Sequence, residues 1–251
     1  MKQILILAIL VAVTFSSCKK NDPKSDHDDM QFPQSRLSLK PMFDSEVLHL
    51  DSVYTMSNGY KIQFLELKAY FTDIQAGGSV LKDVALFDFR ISGNRVFQAN
   101  QVVANPGSIQ FGIGVPGSMN HNDPSTFPNT NPLNIAIAND MHWDWNPGYI
   151  FFKVEAKVDT IVDAITNCNH SLVYHVGTDN FYTTKSVSGL QWAQVASGLN
   201  EAWLKINMKQ FFENSSGPID VKTETTTHSA SAQAALTEKA RQNFVASISA
   251  L

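Results

Sequence analysis

NPLNIAIANDMHWDWNPGYIFFKVEA, residues 131–156, combines dense apolar content with an unusual grouping of side chains. Its second half decides the fold class. Ile150, Phe152, Val154 and Ala156 fall on one face and Tyr149, Phe151, Lys153 and Glu155 on the other, the period of a β-strand. Pro147-Gly148 is a turn signal just ahead of that strand. Before the turn, Met141, His142, Trp143 and Trp145 crowd soft and aromatic groups together. Leu133, Ile135 and Ile137 settle on neither period, so 132–140 is expected to form one or two helical turns.

The same alternation recurs on both sides of this stretch. Residues 35–39 read as a first strand, and 43–53 continue the pattern, with Leu48 and Leu50 opposite Val47, His49 and Val53. This places His49 on a strand. Asn58-Gly59 and Gly77-Gly78 are hairpin signals on either side of a long strand within 60–74, and 80–89 makes the next. Residues 95–105 and, more clearly, SIQFGIGV at 108–115 follow. Gly112 and Gly114 share a face there, which implies close approach of another backbone or a large side chain, for which an indole from the opening stretch is the natural candidate. Residues 116–131 form a long loop containing His121. Val173 and His175 oppose Leu172 and Tyr174 on a later strand, and 202–208 alternates as the last. Beyond Gly217-Pro218 the pattern changes: Ala234, Leu236, Ala240, Phe244 and Ile248 recur near helical spacing, with Ser229 as the expected N-cap. The expected fold is an all-β, antiparallel β-sandwich of Greek-key or immunoglobulin-like type with a short C-terminal helix.

The first residues set the compartment. Lys2, an apolar run from Ile4 to Val13 and small residues up to Cys18 resemble a bacterial lipoprotein signal peptide over 1–17, with acylation of Cys18. Buried acyl methylenes contribute about 0.8 kcal/mol each, so a multiply acylated Cys18 is a stable anchor. Residues 18–34 are polar, charged and proline-containing, and read as a flexible tether in which His27 is solvated. The domain is then 35–251. This arrangement implies a lipid-anchored location in a bacterial cell envelope, periplasmic or at the outer-membrane surface. Loss of Lys2 with the signal takes the formal charge from −4 to −5. No basic cluster is present, which argues against nucleic acid as a partner. With Cys18 acylated, Cys168 has no partner for an internal disulfide, leaving burial or metal and redox chemistry as its roles.

Among seven histidines, His49, His142, His175 and His228 fall in segments expected to be ordered. Neutral imidazole is a common copper and zinc ligand, and strands bring distant residues together. No HxxH, HExxH or CxxC pair is present, and hydrogen-bonded structural histidines fit the sequence as well. Trp143 and Trp145 likewise read either as a plug at the end of the sandwich or as part of a site. No nucleophile elbow, phosphate loop or dinucleotide fingerprint appears, so no catalysis is expected.

MHWDWNPGYIFFKVEA, LVYHVG at 172–177 and THS at 227–229, together with His49-Leu50-Asp51, Tyr54, Asn58-Gly59 and LKAYFTDI at 67–74, resemble the MbnP-like domain family. The resemblance covers nearly the whole domain. It implies a β-sandwich that binds copper, in which a tryptophan of the motif is oxidised to kynurenine by a dihaem peroxidase-type partner. The aromatic amine so formed, with histidines, suits Cu(I). Carried onto this chain, the modified position is Trp143 or Trp145, and the metal histidines are His49, His175 and His228. The site is expected where the tryptophan corner meets the strand of His175 and the segment of His228. The competing class is a surface lipoprotein that binds a glycan or protein through its tryptophan corner, with structural histidines and no metal.

Overall fold

The computed structural model describes residues 34–101, 107–138, 140–143, 148–163 and 165–251. The signal segment 1–17, Cys18, His27 and Trp145 lie outside the described residues. The strands are β1 (Gln34–Phe43), β2 (Glu46–Val47), β3 (Val53–Thr55), β4 (Lys61–Ala76), β5 (Ser79–Asp88), β6 (Arg95–Ala99), β7 (Ser108–Ile113), β8 (Ile150–Asp159), β9 (His170–Gly177), β10 (Thr183–Ser188), β11 (Ala193–Ala196), β12 (Leu199–Asn207), β13 (Thr226–Thr227) and β14 (Ile248–Ala250). The helices are α1 (Phe89–Ser92), α2 (Gly117–Asn120), α3 (Ile135–Ala138), α4 (Met208–Phe212) and α5 (Ala234–Ser247).

Two sheets form the sandwich. One runs β11-β12-β1-β2, with β14 also on β12 and β6 also on β1; the other runs β10-β7-β4-β8-β9-β13, with β3 and β5 also on β4. The spine of the second sheet is the sixteen-residue β4. Its Lys61–Gln63 end pairs with β3 on one edge and β8 on the other, and beyond it β5 and β7 take over those two edges. The registers slip around Asp73, which has φ 48°, so β4 carries a bulge within the part paired with β5 and β7.

The expected sandwich and C-terminal helix are present, but the sheets are mixed. β1 pairs with β12 in parallel from Gln34↔Leu199 to Met42↔Asn207, and β13 joins β9 in parallel. Hairpins enforce antiparallel pairing only between sequence neighbours, whereas the chain between β1 and β12 passes through most strands of the second sheet and is free to return in the same direction. Between the sheets lies an aromatic core. Phe152 stacks on Phe244 of α5 at 4.1 Å and 8°, and Tyr174, Phe211 and Phe212 meet edge to face. Each such ring contributes about 1.5–3 kcal/mol by leaving water.

Two local expectations fail. The alternation at 43–53 gives only the two-residue β2; the chain then turns through Asp51 at φ 67°, so His49 sits exposed in the β2–β3 connection and not on a strand. Leu48 is fully buried in the core there and Leu50 packs against it. Gly112 and Gly114 do admit large groups, but these are the Tyr182 hydroxyl and the Phe151 ring, not an indole.

Candidate metal centre

β8 inserts Phe152, Val154 and Ala156 into the sandwich core, and this leaves Lys153 and Glu155 on the outer face. On neighbouring β9, Leu172 and Tyr174 point inward, so Val173 and His175 share that outer face. The register lines up Asp88 of β5, Lys68 of β4, Lys153 of β8 and His175 of β9 in one row across four strands. Charges of opposite sign fill the gaps. Asp140, next to the Met141-His142-Trp143 segment, pairs with Lys68 and lies 3.3 Å from Lys153; Glu66 lies 3.6 Å from both lysines; Asp88 lies 3.4 Å from Lys68. Burial alone would raise the Asp140 carboxyl, but the Lys68 hydrogen bond and the Lys153 charge bring it below its ordinary range.

The row ends at the histidines. His175 Nε2 lies 2.7 Å from Glu155 Oε1, a diagonal cross-strand pair. This bond, opposed by burial, holds the Glu155 carboxyl below its usual value. The parallel pairing Thr226↔Val173 and Thr227↔Tyr174 carries the chain on to His228, whose ring meets that of His175 edge to face at 4.8 Å between centroids. His228 is held below the ordinary imidazole value by partial burial, by His175 and by Lys153. The neutral ring is the form that ligates metals.

Ser229 fixes this junction. Its hydroxyl accepts from Gly177 N at 2.9 Å and donates to His175 O at 3.3 Å, and its backbone stands at φ 60°. It is therefore a clasp between β9 and the His228 segment and not the expected helix N-cap; that place is held by Gln233, ahead of α5. Thr227 adds a second tie through a 2.6 Å hydroxyl contact with Thr237 of α5.

The tryptophan corner closes against the same strand end. Trp143 N donates to Gly148 O and Ile150 N to Met141 O, so 141–143 runs antiparallel to 148–150. Gly148 stands at φ 101°, a conformation that glycine adopts freely, with Asn120 packed where a Cβ would stand; Pro147 lies outside the described residues. Trp143 is buried, and its indole lies on Gly177: a Cβ there would be 2.6 Å from Trp143 Cζ3. Gly177 is two residues beyond His175, about 7 Å along the strand. Tyr149 and Tyr70 back the corner, each donating its hydroxyl to a backbone carbonyl, of Leu133 and Pro132.

The structure thus brings His175, His228 and the end of β9 that supports Trp143 into one region. His49 is not there: β3 and β8 pair with opposite edges of β4, so β4 and β8 stand between the His49 turn and β9. His142 faces the Tyr149 ring at 4.8 Å, and His121 pairs with Asp179 at 2.9 Å. Cys168 is half-buried, its Sγ 3.6 Å from Lys61 O, and burial raises its thiol away from the reactive thiolate form. Among the described residues no group of three or more His, Cys, Asp or Glu is arranged to hold a metal ion. Among the described residues the histidines brought together here are His175 and His228, and imidazole nitrogen is a donor that copper and zinc accept. Sequence reasoning missed Glu155 and Ser229 as parts of this arrangement. The signal for Glu155 was its place beside Lys153 on the outward face of a strand whose other face is apolar; Ser229 stood in the THS motif, but nothing local pointed to its partners Gly177 and His175, more than fifty residues away.

A comparison with curated proteins gives no match. Among solved structures, MbnP from Methylosinus trichosporium is similar, with 16% identity, a TM-score of 0.45, and coverage of 72% of this chain and 77% of that one. The MbnP family model matches residues 33–231, most of the chain, and the protein belongs to the MbnP family.

Proposed function

We propose that this protein is a lipid-anchored, extracytoplasmic copper-binding protein, and that His175 and His228 hold Cu(I) beside the tryptophan corner. The observation that carries the reading is the edge-to-face contact of two imidazoles from separate segments, at 4.8 Å, where the corner meets β9. Family membership supports a copper-related role. The signal segment ending at Cys18 supports the anchor and the envelope location. The protein's own residues supply neutral nitrogen donors, hold them in place through Glu155 and Ser229, and keep water from the indole of Trp143. The proposed role is copper binding without catalysis.

A dihaem peroxidase-type partner would add an aromatic amine to the two imidazoles: with two equivalents of hydrogen peroxide as oxidant it would cleave the indole C2–C3 bond of Trp143 or Trp145 to N-formylkynurenine, and hydrolysis would then release the lost carbon as formate and leave kynurenine. Metal analysis after anaerobic Cu(I) loading and dialysis, with intact mass before and after co-expression with such a partner, tests this proposal. One retained copper per chain is expected. No retained copper even after co-expression sinks it and favours the binding module with structural histidines, a reading in which the Glu155–His175 bond merely satisfies the ring.

A further inference from the structure

Glu155 decides which nitrogen of His175 remains available. Its Oε1 lies 2.7 Å from Nε2, and an ionised carboxylate only accepts hydrogen bonds. The ring proton therefore sits on Nε2, and in the neutral ring the lone pair is on Nδ1. We infer that Glu155 is a positioning residue that locks His175 as the Nε2–H tautomer and so makes Nδ1 the atom offered to a metal ion. For the ion this rests on the copper reading above; for the tautomer it stands alone.

Three features give the lock its rigidity. Glu155 and His175 are held in register by the β8–β9 ladder, where Lys153↔His175 and Glu155↔Val173 are direct partners. Lys153 Nζ lies 4.0 Å from Glu155 Oε1 and favours the ionised carboxylate, while Asp140 and Glu66 fix that lysine in turn. The His175 side chain is 13% exposed, so water competes weakly for Nε2. A carboxylate accepting the distal N–H of a metal-bound histidine is a recurrent arrangement, because it fixes ring orientation and raises the basicity of the ligating nitrogen. The aspartate that anchors Lys153 also leads directly into the Met141-His142-Trp143 segment, so one ion-pair network supports both sides of the site.

Histidine-labelled, metal-free protein answers the first half. In side-chain proton–nitrogen correlation spectra at about pH 8.5, well above the ordinary imidazole value of about 6.5, His175 should appear as the Nε2–H tautomer. Glu155→Ala should release it to a mixture, and Glu155→Gln, which still accepts a hydrogen bond, should largely restore it. Competition for Cu(I) against a chromophoric chelator answers the second half: Glu155→Ala should bind about 10- to 100-fold more weakly, and Glu155→Gln by less. His175 found as Nδ1–H, or a tautomer unchanged in Glu155→Ala, overturns the inference. Affinity unchanged in a Glu155→Ala protein that has lost the lock removes the positioning role and leaves copper binding intact. If the unaltered protein takes up no Cu(I), the copper reading fails, while the tautomer spectra still decide what Glu155 does to the ring.

Discussion

Gly177→Ala is the sharpest perturbation of the corner, because its sign distinguishes packing from chain entropy. A methyl group at this position would stand 2.6 Å from Trp143 Cζ3, 2.8 Å from Cη2 and 2.6 Å from the Tyr149 carbonyl oxygen. Carbon atoms pack near 3.5–4.0 Å, so about 1 Å must open. The backbone of Gly177 is not in the left-handed region, so no torsional penalty confuses the result. The carbonyl belongs to the Tyr149 backbone at the head of β8 and cannot swing aside, and the indole is buried in the cluster that also holds Met141, Tyr149 and Phe151. Overpacking of this kind costs about 1–3 kcal/mol. At about 2–4 °C per kcal/mol for a domain of this size, Tm should fall by roughly 2–12 °C. Without the clash, Gly→Ala would stabilise by about 0.4–1 kcal/mol through the unfolded chain. Thermal unfolding followed by near-ultraviolet circular dichroism and indole fluorescence reads both stability and the displaced ring. An unchanged or raised Tm with an unaltered aromatic spectrum would refute the placement of Trp143 on β9.

Other perturbations probe the rest of the site and the core. Ser229→Ala and Ser229→Gly both remove the clasp on Gly177 N, but glycine is at ease at φ 60°. Glycine should therefore be the more stable variant by about 1 kcal/mol in urea unfolding, and equal stabilities would contradict the strained-clasp account. Asp140 and Glu155 titrate lower in the folded protein than in the unfolded chain. Their contribution is present above the unfolded range of about pH 4 and drains as pH falls through the lower native values. Asp140→Asn should thus flatten the acid limb of stability against pH, and a variant with the original slope would count against the network. Phe244→Ala removes the ring stacked on Phe152 and should cost about 3–5 kcal/mol; a calorimetric loss below 1 kcal/mol would show that α5 is peripheral.

What the sequence disclosed follows the range of each interaction. Asn58-Gly59 and Gly77-Gly78 each act within a few residues, and both turns join the strand pairs they signalled, β3 to β4 and β4 to β5. The inward set of β8 and the opposition of Leu172 and Tyr174 to Val173 and His175 were legible because side-chain direction has a fixed period of two. The parallel return of β12 beside β1 was not, since nothing local encodes a pairing across more than 160 residues. Alternation misled at His49, where Leu48 is buried but a left-handed Asp51 turns the chain before a strand forms. The meeting of His175 with His228 came from family motifs, not periodicity. Glu155 was placed on the correct face, yet its bond to His175 emerges only from the β8–β9 register.

Copper retention across a set of histidine variants tests the central claim most directly. Anaerobic Cu(I) loading, exhaustive dialysis and metal analysis should give one copper per chain for the unaltered protein and for His49→Ala. His175→Ala and His228→Ala should lose it. Retention by both of those variants, loss in His49→Ala alone, or no copper held by the unaltered protein would contradict a site built on the His175–His228 pair.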